Sequence, residues 1–377
     1  MPMPVRCGLV LLTVFGVACG ADEQAFVGEL SAPVVYGADD RLEVYNHPSD
    51  ELRQIAQQSI VALIDSDKLE RGPDGKYLIV APTLQQSKGL CDDERFTNQP
   101  TAALCSGVLI HDDLVLTAGH CLRTQTDCER KSFVFDYYLD GPMQLAPIED
   151  EDVYSCKQIA LRDEPIGDAL TPDFAVIQLD RPVTGGHRSV AVRPATTPLV
   201  EDEPLTMIGF GSGLPAKIDS GGTVADPRTA TLDYFSANPD AFMGHSGSAT
   251  FDSNDQLAGI LVAGRAPDYV LSPDEDCDRV NTFLDSQAGE AIHYFAPIVS
   301  QLCEQGWGGD SLCEETSCDG EPCGKKLPPI NGNVPGGIPV PADSSGCHAS
   351  RTPSGFGAVW AAALLLVFVR RLRRSVV

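Results

Sequence analysis

Basic side chains are scarce in this chain: 27 Lys and Arg stand against 53 Asp and Glu, for a formal charge of −26. A surface of that sign repels nucleic acid and keeps the chain in solution, so a nucleic-acid partner is not expected. Aromatic residues are few (7%), while Gly (35) and Pro (28) are plentiful, which suits a β-rich, loop-rich protein rather than a helical one. The apolar runs Leu9–Val17 and Gly355–Val369 both fall short of the roughly 20 residues that a stable membrane-spanning helix needs. Cys313, Cys318 and Cys323 contain no C-x-x-C pair and have no nearby histidine, which argues against zinc. The acidic run Asp274–Asp278 lacks the spacing and glycine of an EF-hand and reads as a solvated loop rather than a calcium site. Neither a metal nor another cofactor is expected.

At 377 residues and 43% hydrophobic, the chain exceeds the roughly 150-residue prior for one domain and is long enough for two packed barrels with tails. Arg6, the apolar run that follows and then small residues have the plan of a secretory signal over residues 1–21. Gly16-Val-Ala-Cys19 resembles a bacterial lipoprotein box, which would put lipid on Cys19; ordinary cleavage near Ala21 is the alternative. Thirteen cysteines fit export to an oxidising compartment, and ten remain once Cys7, Cys19 and Cys347 are assigned to end segments. Residues 22–33 read as a leader.

Gly244-His-Ser246-Gly-Ser248 is the stretch that proposes a chemistry. A serine hydroxyl is a poor nucleophile near neutral pH, so it needs a base and fixed donors for the oxyanion that forms when it attacks a carbonyl. Flanking glycines let the backbone aim N–H groups, here those of Gly244 and Ser246, at one point. A histidine stands in Leu114-Val-Leu-Thr-Ala-Gly-His120-Cys121, after an apolar strand, with Cys105 upstream. Asp173 opens the apolar strand Phe174-Ala-Val-Ile-Gln-Leu179 and is preferred over Asp168 and Asp180, which lead no such strand from that side.

The segments TAGHC, DFAVIQL and GHSGS, in the order His120, Asp173, Ser246, resemble the three signatures of the chymotrypsin-like serine proteases. Gly37–Val44 and the run around Ser246 are similar to the bacterial branch that includes glutamyl endopeptidases, over about residues 34–303. The resemblance implies an all-β fold of two packed six-stranded antiparallel Greek-key barrels with a short C-terminal helix, acting on protein or peptide substrates. It implies His120 as general base and acid, Asp173 as its orienter, Ser246 as nucleophile and Gly244 with Ser246 as oxyanion hole. It also implies a Cys105–Cys121 disulfide. Asp240 and Gly264 would fall at the substrate pocket, where a carboxylate would favour a basic residue before the scissile bond; a plain turn aspartate after Asn238-Pro239 is the alternative. The glutamate-recognising histidine of that branch is replaced by Leu261, and His245 stands where animal trypsins carry aspartate, with its ring expected to face outwards. An inactive binding or adhesive module on the same fold is the rival class.

Apolar spacing places a brief helix over residues 51–58 and strands at 60–64, 106–110, 114–118, 205–211, 230–235, 248–251 and 257–263, with a turn-rich insertion at 68–100. Ile292, Phe295, Ile298, Val299 and Leu302 recur at helical spacing. Residues 304–346 read as an extended Cys/Pro/Gly-rich linker. Over residues 347–377, Cys347, a short apolar helix and Arg370-Arg-Leu-Arg-Arg374 resemble the myxobacterial C-terminal sorting signal, which would attach the exported protein at the cell surface; a simple membrane anchor is the alternative.

Overall fold

The computed structural model describes residues 35–166, 169–195, 197–315, 317–318 and 321–322. The signal segment with Cys19, the leader, Asp168, most of the linker and the segment 347–377 lie outside the described residues. Among those described, no helix is long and apolar enough to cross a membrane.

Twelve strands make two closed barrels. The first contains β1 (Ile60–Asp65), β2 (Ala103–His111), β3 (Leu114–Thr117), β4 (Lys131–Val134), β5 (Val153–Asp163) and β6 (Phe174–Leu179), closed in the order β5-β6-β3-β2-β1-β4. The second contains β7 (Pro204–Gly209), β8 (Lys217–Asp226), β9 (Tyr234–Ala237), β10 (Ala249–Phe251), β11 (Leu257–Ala263) and β12 (Glu290–Tyr294). Their order is β7-β10-β11-β12-β9-β8, and pairing of β7 with β8 closes the ring. Taken in chain order, both rings have the same cyclic arrangement, the third strand of each lying beside the sixth. Leu42–Glu43 adds to the outside of β8.

Local sequence explains most of these elements. Every residue of Ile60–Ile64 is buried, as befits a β-branched and aliphatic strand hydrogen-bonded on both sides, to β2 and β4. The helix Asp50–Gln58 starts where Ser49 Oγ accepts the Leu52 N–H, carries Asp50 and Glu51 in its first turn, and buries Leu52, Ile55 and Ala56. One apolar cluster runs through both barrels, from Val108 and Leu116 to Ile208, Phe251 and Ile260.

Three expectations are corrected. Ile292 belongs to strand β12, not to the closing helix, which begins at Phe295 and runs to Glu304 with Phe295, Ile298, Val299 and Leu302 buried. The alternation Ala291, Ile292, His293 is satisfied on both faces by pairing with β9 and β11, so tertiary pairing overrides the helical spacing there. The start of the linker is packed, because Gly309–Glu315 is helical, Leu312 is buried and Cys313 is bonded to Cys303. The insertion at 68–100 holds a hairpin (Leu69–Arg71 with Tyr77–Ile79) and a helix, Leu84–Lys88. That helix is capped by a Thr83/Gln86 box and stopped by left-handed Gly89. Cys91–Cys277 then ties the insertion to a second-barrel loop.

Candidate active site

The site lies where the two barrels meet. Strand β3 ends at Thr117, and the chain turns through Gly119–Cys121, lifting His120 out of the sheet. Only glycine fits at 119: a Cβ there would lie 2.1 Å from the Asp163 carbonyl oxygen and 2.9 Å from that of Phe174. The Cys105–Cys121 disulfide fastens the turn to β2. Asp173, directly ahead of β6, is fully buried. Its Oδ1 accepts the His120 main-chain N–H at 3.0 Å and its Oδ2 lies 2.7 Å from His120 Nδ1. A carboxylate can only accept, so Nδ1 carries the proton and Nε2 is left as an acceptor. Ser246 Oγ lies 2.8 Å from that Nε2.

Each peptide around Ser246 is held. Met243 C=O accepts from Ser212 N at 2.6 Å and His245 C=O from Ser248 N at 2.7 Å. In a trans peptide the N–H points opposite to the C=O, so the N–H groups of Gly244 and Ser246 are turned away from these partners. Neither has an acceptor among the described residues. Gly244 (φ +104°) and Gly247 (φ +82°) take the left-handed conformations this path demands, and a Cβ on Gly247 would lie 2.2 Å from the Ser106 carbonyl oxygen. Ser106 Oγ donates to Gly244 O at 2.8 Å, and Asp268 Oδ2 accepts from Met243 N at 3.0 Å. Burial pushes the Asp268 carboxyl up to about 7.

His120, Asp173 and Ser246 are thus brought together, and Asp180 is elsewhere, accepting from Ser155 N and pairing with Arg181. His245 does not face outwards: it is 2% exposed, with Nδ1 accepting the Phe242 N–H at 2.9 Å. Asp240 does not form the base of an open pocket. It is buried, and its oxygens accept the main-chain N–H groups of Tyr36 and Asp40, each at 2.9 Å. Burial, then the neighbouring Asp219, raise its carboxyl above the ordinary range. Space over Gly264 is taken by Glu290, whose Oε2 would lie 1.7 Å from a Cβ there. Glu290 Oε1 accepts from Tyr36 Oη at 3.0 Å, Oε2 has no hydrogen-bond partner among the described residues, and burial raises this carboxyl to about 8. Leu261 is buried in β11 and flanks the site through its main chain, which bonds Gly247 N and Ser248 O. Glu290, Tyr36, Asp268, Ser212 and Ser106 are not legible as site residues in the sequence, since they come from five separate segments and none carries a motif.

Apart from clusters built on disulfide-bonded cysteines, one group among the described residues could offer metal ligands: Asp136, Asp152 and His187 each bring one ligand atom within 4.8 Å of the others. There His187 Nε2 is already bonded to Asp152 Oδ1 at 2.9 Å, and its ring stacks on Phe135.

Residues 105–260, which include His120, Asp173 and Ser246, match the model of the family described as trypsin-like peptidase domain. Together with the two closed six-stranded barrels, this defines a trypsin-like fold. Among solved structures the chain is similar to a Glu endopeptidase in complex with MPD, at 17% sequence identity and a TM-score of 0.44, over 72% of this chain and 98% of that one.

Proposed function

We propose that the protein is an exported serine endopeptidase that hydrolyses peptide bonds through an acyl-enzyme. The observation that carries this is the unbroken chain from Asp173 Oδ2 through His120 to Ser246 Oγ, at 2.7 and 2.8 Å. Ser246 Oγ attacks the scissile carbonyl while its proton passes to His120 Nε2. Asp173 holds the ring in the Nδ1–H tautomer and stabilises the imidazolium that forms. The N–H groups of Gly244 and Ser246 receive the oxyanion; such donors are worth on the order of 10²–10³ each in turnover because they are fixed before the charge appears. Collapse of the tetrahedral adduct breaks the C–N bond, and His120 returns the proton to the leaving amine. Water, activated by the same imidazole, then releases the acyl group.

Export is supported by four disulfides among the described residues, Cys91–Cys277, Cys105–Cys121, Cys128–Cys156 and Cys303–Cys313, which persist in an oxidising compartment. Attachment at the cell surface through residues 347–377 belongs to the same proposal and rests on the sequence of that segment. A fluorophosphonate probe tests the activity. Covalent labelling of the folded protein that vanishes in Ser246→Ala is expected, and a folded parent that takes no label would overturn the assignment.

A further inference from the structure

We infer that His245 is a positioning residue whose imidazole Nδ1, by accepting the Phe242 N–H, holds the Phe242–Ser246 turn in the shape that presents the Gly244 and Ser246 N–H groups. The inference rests on the peptidase reading for its consequence in turnover, while the role of the ring itself is open to direct measurement.

The geometry is reciprocal. Phe242 N donates to His245 Nδ1 at 2.9 Å, and His245 N donates to Phe242 O at 2.8 Å, so one residue closes the turn with both main chain and side chain. Gly244 is enclosed by that turn with φ at +104°. A main-chain N–H cannot accept, so Nδ1 must be unprotonated and the ring neutral. Packing fixes the ring: a Cβ on Gly211 would lie 2.4 Å from His245 Cε1, which means that the imidazole lies against that glycine's backbone. The Phe242 ring meets it edge to face, with Tyr269 on Phe242 and the Arg41 guanidinium 3.8 Å from the Phe242 centroid.

The surroundings keep the ring neutral. Burial first, then the nearby cations Arg41 and Lys217, bring His245 down to about 3. Those cations are themselves committed, Arg41 to Asp39 and Lys217 to Glu43, and Asp268 is bound to Met243 N, so no carboxylate among the described residues hydrogen-bonds the imidazole. An acceptor that does not titrate in the working range suits a loop whose shape must not change with pH. A charged residue at this place would need a counter-charge, which a neutral imidazole accepting an amide N–H does not.

Two substitutions separate the acceptor from the bulk of the ring. Asparagine places Oδ1 close to the position of Nδ1, whereas leucine fills space without accepting. For peptide hydrolysis, His245→Leu is expected to lower kcat by about 10²–10³ with KM changed only a few-fold, the loss typical of a displaced oxyanion donor. His245→Asn should recover to within about tenfold of the parent. Equal rates in parent and a folded leucine variant, or equal losses in both variants, would overturn the inference. Nitrogen NMR of the 15N-histidine-labelled parent supplies the direct arm: His245 should keep an unprotonated Nδ1 from about pH 8 down to about pH 4, well above its lowered value. A His245 that carries its proton on Nδ1, or titrates near the ordinary histidine value, overturns the positioning role whatever the activity. A parent with no hydrolysis but the expected NMR signature would count against the peptidase reading alone.

Discussion

Ser106 Oγ, on strand β2 of the first barrel, donates to the carbonyl of Gly244 at 2.8 Å and accepts from Phe210 N at 3.0 Å. Ser106 N also donates to Ser246 O at 2.8 Å. One fully buried serine of the histidine-bearing barrel therefore sets the position of the loop that carries Ser246. These bonds tie the Ser246 loop to the barrel that carries His120. In Ser106→Ala, the Phe210 N–H and the Gly244 C=O both lose a buried partner, which costs about 1–3 kcal/mol. Urea denaturation should show the loss, and kcat should fall in parallel; unchanged stability would mean that water or a shifted loop replaces the hydroxyl.

Ser246→Ala should remove turnover by on the order of 10⁴–10⁶ while leaving the fold intact, because it deletes the attacking atom and little volume. Steady-state hydrolysis of a peptide, with circular dichroism as the control, decides it. Parent-like cutting by the alanine variant would refute the assignment.

Gly119→Ala probes the turn that lifts His120. The new Cβ would meet main-chain oxygens of Asp163 and Phe174, which belong to barrel strands and cannot swing away as a side chain would. The turn must move instead, carrying His120 off Asp173 and Ser246, and a displacement of about 1 Å is enough for a loss near 10²-fold. We expect kcat to fall at least that far; a variant as active as the parent would show that the turn tolerates the shift.

Glu290 makes a pH prediction. Its folded value, about 8, is raised above the ordinary 4.5 by burial, so its contribution to stability is fully present below about 4.5 and is lost as pH rises towards 8. A glutamine at this position would keep an acceptor for Tyr36 Oη without the ionisation. The melting temperature of Glu290→Gln relative to the parent should therefore climb between about pH 5 and about pH 8, by an amount corresponding to a few kcal/mol at most. A difference that stays flat across that range would show that the carboxyl is not held neutral.

His245 works in the opposite direction. Its folded value of about 3 lies below the ordinary 6.5, so its share of stability is present above about 6.5 and drains away as pH falls towards 3. His245→Asn has no group to protonate there. Acid titration by fluorescence should show the asparagine variant losing less stability than the parent between about pH 6 and about pH 4, and matching curves would count against a buried neutral ring.

What the sequence determined by itself is local in origin. Period-two and continuous apolar runs mark β1, β3, β6 and β11, and the glycines at 244 and 247 mark a turn around Ser246. The three residues of the hydrogen-bonded chain were legible because each sits in a short string of its own. Tertiary structure alone decided the rest. Ile292 reads as helical until β9 and β11 take its backbone into a sheet. Cys91 finds Cys277 across a separation of 186 residues, which no spacing rule anticipates. Asp240 stands where a pocket residue was expected, yet two amides from the N-terminal segment reach its carboxylate first, and Glu290 covers Gly264. Whether a polar side chain faces substrate, solvent or another strand depends on which distant segment offers it a partner. That is a property of the closed barrels, since neighbours in each ring are set by the sheet and not by the order of the chain.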